Sequence, residues 1–114
     1  MSQIFSITLT TDELLYVLVL SGVEDEEKYE DYDLNIEDIS RERLESGRKS
    51  LQDRGLLYGD GPIPQLDNTL TALVSATIIG EKVGVEYTEQ STGLHVQFLK
   101  EEGMYVFRGK IDES

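Results

Sequence analysis

Leu94-His95-Val96-Gln97-Phe98-Leu99-Lys100-Glu101-Glu102-Gly103-Met104-Tyr105-Val106-Phe107-Arg108-Gly109-Lys110-Ile111 is the stretch that decides the fold class. Leu94, Val96 and Phe98 alternate with polar His95 and Gln97, the period of a half-buried strand. Glu101-Glu102-Gly103 is a turn signal leading into a second run over 104–111. Immediately upstream, Gln90-Ser91-Thr92-Gly93 reads as another turn, preceded by Val83, Val85 and Tyr87 in alternation. The C-terminal third is therefore an antiparallel meander. At the other end of the chain, residues 3–9 mix β-branched and aromatic side chains and predict a short first strand.

Between these strands the period changes to that of a helix. Leu66, Leu70, Leu73, Val74 and Thr77 recur at helical spacing, with Gly80 as a stop, which predicts a helix over 67–79. Thr10-Thr11-Asp12-Glu13 is a capping box, with Thr10 as N-cap and Glu13 three positions on. It opens a helix over 11–21 that is apolar nearly all round and is the expected central buried element, with Leu18 in the core. A strand over the same run stays open, because periodicity does not separate short apolar runs. Ser40 is an N-cap for a helix over 41–54, with Leu44 and Leu51 as a thin apolar stripe. Gly47 lies between them on the same side, a position that weakens the helix but lets a neighbouring backbone approach. Residues 55–64 hold both prolines and read as a compact loop or a short wing-like hairpin. The expected architecture is α+β: about three helices packed on a mostly antiparallel sheet of about four strands, in one domain over 1–114.

Charge is distributed unevenly. The chain carries 23 acids against 10 bases, a net −13, and residues 24–38 alone hold nine acids and one base, or −8. Such a block repels itself and is expected to be an exposed acidic loop at about 24–38, outside the core and dispensable for folding. A field of this sign opposes nucleic acid and anionic lipid, so neither is expected as a partner. The apolar run 14–20 is too short to span a bilayer, which needs about 20 residues. With no cysteine and no basic leader at the start, a cytoplasmic location is expected.

Catalytic chemistry finds little to work with. His95 is the only histidine, there is no cysteine, and no Walker-type or Gly-x-Gly-x-x-Gly pattern occurs; Gly59-Asp60-Gly61-Pro62 lacks the lysine and helix start that phosphate binding uses. No catalytic, cofactor or metal residues are assigned, and the chain is expected not to be an enzyme. Asp31, Asp33, Asn35, Glu37 and Glu42 fall at ligand positions of an EF-hand-like loop, but Ile36 stands where that loop needs glycine. Arg41, Arg43, Arg48, Lys49 and Arg54 load the 41–54 helix with half the bases and give it the outline of a winged-helix recognition element. Interleaved acids favour salt bridging to the acidic loop instead.

The candidate partner-binding residues are Glu24, Asp25, Glu26, Glu27, Tyr29, Tyr32, Tyr105 and Phe107. Tyrosines in an acidic setting anchor basic partners, since Tyr buries a large area at low entropic cost; the alternative is that Tyr29 and Tyr32 fold back on the domain. Tyr105 and Phe107 enter because the closing strand is apolar in both alternating sets: Met104 and Val106 one way, Tyr105, Phe107 and Ile111 the other. Such a strand at the end of a sheet needs cover on both faces, which predicts a homodimer or a heteromer.

The order of motifs resembles the EspG family of type VII (ESX) secretion-associated proteins. Thr10 to Leu15 opens a buried helix, Ser50-Leu51-Gln52-Asp53-Arg54-Gly55-Leu56-Leu57 leads into Asp60-Gly61, and Leu66-Asp67-Asn68-Thr69-Leu70 precedes a β-meander. That family carries two such halves where this chain has one. The resemblance implies a non-enzymatic cytoplasmic chaperone that holds a secretion substrate soluble, and a pairing of two chains. The leading expectation is accordingly a protein-binding adaptor or secretion chaperone. An acidic immunity protein or nucleic-acid mimic blocking a basic partner is the alternative, and a winged-helix regulator the third.

Overall fold

A computed structural model describes residues 2–59 and 63–112. The elements in order are β1 (Ser2–Leu9), α1 (Thr11–Leu20), α2 (Glu26–Asp31), a 3-10 turn (Ile36–Asp38), α3 (Arg41–Asp53), β2 (Leu57–Tyr58), β3 (Gln65–Leu66), α4 (Asn68–Ile79), β4 (Glu81–Val83), β5 (Glu86–Glu89), β6 (Leu94–Glu101) and β7 (Met104–Asp112). The class is α+β. The chain divides into two compact units, residues 9–65 and residues 1–8 with 66–114.

In the 9–65 unit the Thr10 hydroxyl accepts from the Glu13 N–H at 3.1 Å and the Glu13 carboxylate accepts from the Thr10 N–H at 2.8 Å, so the capping box forms as read. Residues 11–20 are helix, not strand. Leu14, Leu15, Val17 and Leu18 have no exposure, while Val19 is 39% exposed and marks an outward edge. α1 ends where the Val23 N–H returns to the Leu18 carbonyl and the Gly22 N–H to that of Val19, with Gly22 in the left-handed region. α3 begins at Ser40, whose hydroxyl accepts from the Arg43 N–H at 3.2 Å. Gly47 supplies the close approach that its place in the sequence suggested. A Cβ there would lie 2.6 Å from the carbonyl carbon of Asp12 and 3.1 Å from the Glu13 nitrogen, so α3 rests backbone to backbone on the first turn of α1. β2 pairs with β3, so the hairpin alternative for 55–64 is the one found, with its second strand just beyond that stretch at Gln65–Leu66; Asp60, Gly61 and Pro62 lie outside the described residues.

The other unit is built on one sheet of order β1-β7-β6-β5-β4, with β4–β5, β5–β6 and β6–β7 antiparallel. It has five strands where about four were expected. The difference lies at Val83, Val85 and Tyr87, which do not alternate along one strand. Gly84 and Val85 form a turn, leaving Val83 and Val85 62% and 70% exposed while Tyr87 is buried on the next strand. Register puts Tyr87, Val96 and Gly109 in line, and Phe98 opposite Phe107. α4 packs on this face. A Cβ on Gly109 would meet Leu73 Cδ2 at 2.5 Å and the Phe5 ring at 2.9 Å, so helix and first strand converge on the one place where β7 has no side chain. On the opposite face His95 Nδ1 lies 3.1 Å from the Thr88 hydroxyl, across the β5–β6 pair.

β7 does not close the sheet; it lies inside it, between β1 and β6. Tyr105, Val106 and Phe107 are 2%, 8% and 0% exposed within the single chain, and Phe98 stacks on Tyr105 with ring centroids 5.9 Å apart. Met104 and Ile111 are half-buried, and the other apolar residues of the strand are covered within the single chain, so this strand by itself does not call for a second copy.

The contact at Gly47 sets two effects against each other. Alanine would raise helix propensity by about 1 kcal/mol, but its methyl meets backbone that has no rotamer to change. We expect Gly47→Ala to lower the unfolding free energy by about 1–3 kcal/mol, as overpacking does, measured by urea denaturation; a gain in stability would show that α1 and α3 are further apart.

Candidate functional site

The acidic stretch is not a loop. Asp25 caps α2, its carboxylate accepting from the Glu27 N–H at 3.0 Å, and Glu26 and Glu27 occupy the first turn, where negative charge favours the helix dipole. At the other end the Asp33 N–H bonds the Glu30 carbonyl at 2.9 Å and the Leu34 N–H bonds that of Tyr29 at 3.0 Å, with Asp33 left-handed at φ 58°. This is the same C-terminal motif that ends α1, with Asp in the position glycine usually takes. Asn35 then caps the 3-10 turn by accepting from the Glu37 N–H at 2.9 Å.

Tyr29, Tyr32 and Leu34 are 1%, 0% and 6% exposed. The Tyr29 hydroxyl donates to the Val23 carbonyl at 2.7 Å, and burial, with the charge of Glu24 adding to it, pushes the phenol pKa up, so it stays a donor. Lys28 lies 5.6 Å from the Tyr32 ring centre and 3.8 Å from Asp31. Of the candidate partner-binding residues, then, Tyr29, Tyr32, Tyr105 and Phe107 lie in the core of the single chain, contrary to the exposed role expected of them. Glu24, Asp25, Glu26 and Glu27 are exposed, as are Glu30, Asp31, Asp33, Glu37 and Asp38. All nine acids of 24–38 point outward from a segment fixed by its aromatics. A cleft of about 270 Å3 lies between α2 and the 3-10 turn, lined by Glu26, Glu30, Leu34, Asn35, Ile36 and Glu37.

The EF-hand-like spacing does not become a coordination sphere. Its positions are spread over the end of α2, the 3-10 turn and α3, and the Asn35 oxygen is taken by a cap. Among the described residues no group of three or more His, Asp or Glu converges to hold a metal ion. Nor is any described helix long and apolar enough to cross a membrane.

Three of the five bases over 41–54 pair close to home. Arg43 lies 4.0 Å from Asp12, Arg48 pairs with Glu45 one turn away, and Arg54 reaches both carboxylate oxygens of Glu13 at 2.9 and 3.0 Å. These pairs tie α3 to α1 and to itself, rather than to the acidic stretch as the sequence suggested. Glu13 is the one fully buried carboxylate among the described residues, and it also accepts from the Ser50 hydroxyl at 2.8 Å. Burial pushes its pKa up, but the bonds from Thr10, Ser50 and Arg54 outweigh it and hold the carboxyl below its ordinary value.

For Tyr29 and Tyr32 the structure takes the alternative left open in the sequence, the fold back on the domain, and places them three apart on and just after a helix. One residue set had no place in the sequence analysis, the uncharged α4 with the groove beside it. Its signal is the absence of any charged residue over 68–79 in a chain with 29% charged residues. Comparison with family models, with curated proteins and with solved structures gives no match.

Two measurements follow from this geometry. Tyr32→Ala should cost about 3–5 kcal/mol, the scale of a buried aromatic truncated to alanine; a detached loop would lose almost nothing. Glu13→Gln should cost about 1.5–3 kcal/mol at neutral pH, the worth of hydrogen bonds to a charged group. A carboxylate depressed in the folded state stabilises fully above its ordinary value of 4.5 and loses that contribution as pH falls through the lower folded value. The gap between wild type and variant should therefore narrow on acidification below 4.5 in denaturation series. A gap that widens there would mean that Glu13 is protonated in the fold.

Proposed function

We propose that this chain is a non-enzymatic protein-binding adaptor, acting as a chaperone that holds a basic partner protein in the cytoplasm through the outer face of α2 and the 3-10 turn. One observation carries the reading: nine carboxylates are presented outward from a capped, internally anchored segment, with Lys28 the one base among them. Charges on an ordered scaffold lose little entropy when a partner docks, and a field of one sign steers an oppositely charged surface and rejects like-charged ones. The resemblance in motif order to the EspG-like secretion chaperones points to the same class, with a secretion substrate as partner.

The same face favours a second reading, an inhibitor of the immunity-protein kind that covers the basic active site of another protein. The identity of the partner separates the two. If it is an enzyme whose turnover stops on binding, the inhibitor reading holds; if it is a protein that precipitates without this chain, the chaperone reading holds.

The joint variant Glu26→Gln, Glu27→Gln, Glu30→Gln tests both, because all three positions are exposed. Its unfolding free energy should stay within about 0.5 kcal/mol of wild type, as for surface substitutions. In affinity capture from the native host with quantitative mass spectrometry, recovery of the specific partner should fall roughly tenfold or more, a loss of about 1.4 kcal/mol. Equal recovery by variant and wild type would overturn the acidic face as the binding surface.

A further inference from the structure

The sheet-bearing unit carries a surface of the opposite character. The twelve residues of α4 include no charge. Leu70, Leu73, Val74 and Thr77 account for its buried side, but the outward side presents Thr69 and Ala72, and Ile79 is 72% exposed. A solvated helix face in so charge-rich a chain ordinarily carries Lys or Glu. Next to it runs a groove of about 330 Å3, walled by Phe5, Ala72, Ala76, Ile79, Leu94 and Ile111. The groove exists because α4 presents small side chains at 72, 75 and 76, one turn apart, where larger ones would fill the space.

The rim of the groove is negative. Glu89 lines it, with Ser91 and Thr92 beside it. The Glu89 carboxylate accepts from the N–H groups of both neighbours at 3.1 and 3.0 Å and from both hydroxyls at 2.6 and 2.7 Å, which holds its pKa at about 2. It is therefore anionic and fixed in place at every physiological pH. Glu81 lies on the neighbouring edge strand, within 3.5 Å of Gln90, and no lining residue is basic.

That charge decides the occupant. A second copy of this chain would bring another net −13 to the contact, and a fatty acid or acidic peptide would set its carboxylate against Glu89. We propose that the groove docks a partner segment of amphipathic helical character, whose apolar side chains enter between α4 and the sheet and whose flanking Lys or Arg meets Glu89. Burial of the apolar side chains supplies affinity, and the rim charge sets orientation and excludes acidic competitors. This rests on the protein-binding reading above but not on the acidic face, which lies in the other unit.

The test uses three labelled synthetic peptides in fluorescence anisotropy: an amphipathic Leu/Lys helix, a Ser/Lys peptide of equal charge, and a Leu/Glu helix of the same pattern. Ala72→Gln with Ile79→Ser should weaken Leu/Lys binding roughly tenfold or more and leave Ser/Lys binding unchanged, while the Leu/Glu helix should not bind. In the wild-type protein, amide shifts on adding the Leu/Lys helix should cluster at 72–79 and 89–94, a readout that needs no variant to fold. The proposal is overturned if Leu/Lys binding survives the groove variant, if the shifts fall elsewhere, if the Leu/Glu helix binds as well, or if the free protein is a dimer that Ile79→Ser dissociates. Ser/Lys binding that is lost in the Glu26, Glu27, Glu30 variant reports on the acidic face alone, so either site can fail while the other stands.

Discussion

The carboxylate of Glu13 has no access to water, and the 9–65 unit depends on how that charge is satisfied. A buried anion costs several kcal/mol unless hydrogen bonds and an opposite charge replace its hydration. Here the Thr10 N–H, the Ser50 hydroxyl and the Arg54 guanidinium do so together. One donor belongs to the start of α1 and two to the last turn and C-cap of α3. The same carboxylate thus ends one helix's search for a cap and fixes where the other helix must lie. Gly47 completes the constraint, since only a residue without a side chain lets α3 come close enough for Ser50 and Arg54 to reach. With both helices placed, the residues between them have a set distance to cover, and α2 is held in that span by Tyr29 and Tyr32.

The two units differ in surface chemistry. In the first, the excess negative charge is carried by a segment whose Tyr29, Tyr32 and Leu34 are buried, so what faces water is mostly carboxylate. Self-repulsion within such a segment is offset by caps at Asp25 and Asn35, by the dipole of α2, and by aromatic burial. In the second, α4 is uncharged and leaves a groove open against the sheet. A net charge of −13 is therefore not a uniform coat; it is −8 over 24–38 and −5 over all other residues. Charge and exposed apolar surface are thus carried by different segments of the chain.

Local interactions were legible in the sequence because they close within a few residues. The Thr10–Glu13 box, the cap at Ser40, the stops at Gly22 and Gly80, the turns at 90–93 and 101–103 and the alternation of β6 are all set by residues at most five positions apart. Even the close approach at Gly47 could be anticipated, since a glycine on the apolar stripe of a helix has few other uses. The exposure of Glu24 to Glu27 was legible for the same reason: carboxylates in a row do not bury. The inward turn of Tyr29 and Tyr32 was legible only as one of two alternatives, because two aromatics among seven acids make too weak a period to decide against the charge around them. Tertiary structure alone decided what needed a distant partner. Ser50 and Arg54 meet Glu13 from 37 and 41 positions away. β1, from the opposite end of the chain, takes the edge beside β7 and makes β7 an interior strand, and Tyr105 and Phe107 on it are buried with Phe98 of β6 against both. Chain entropy lets any of many distant segments reach such a position, and only the packing of the whole selects one.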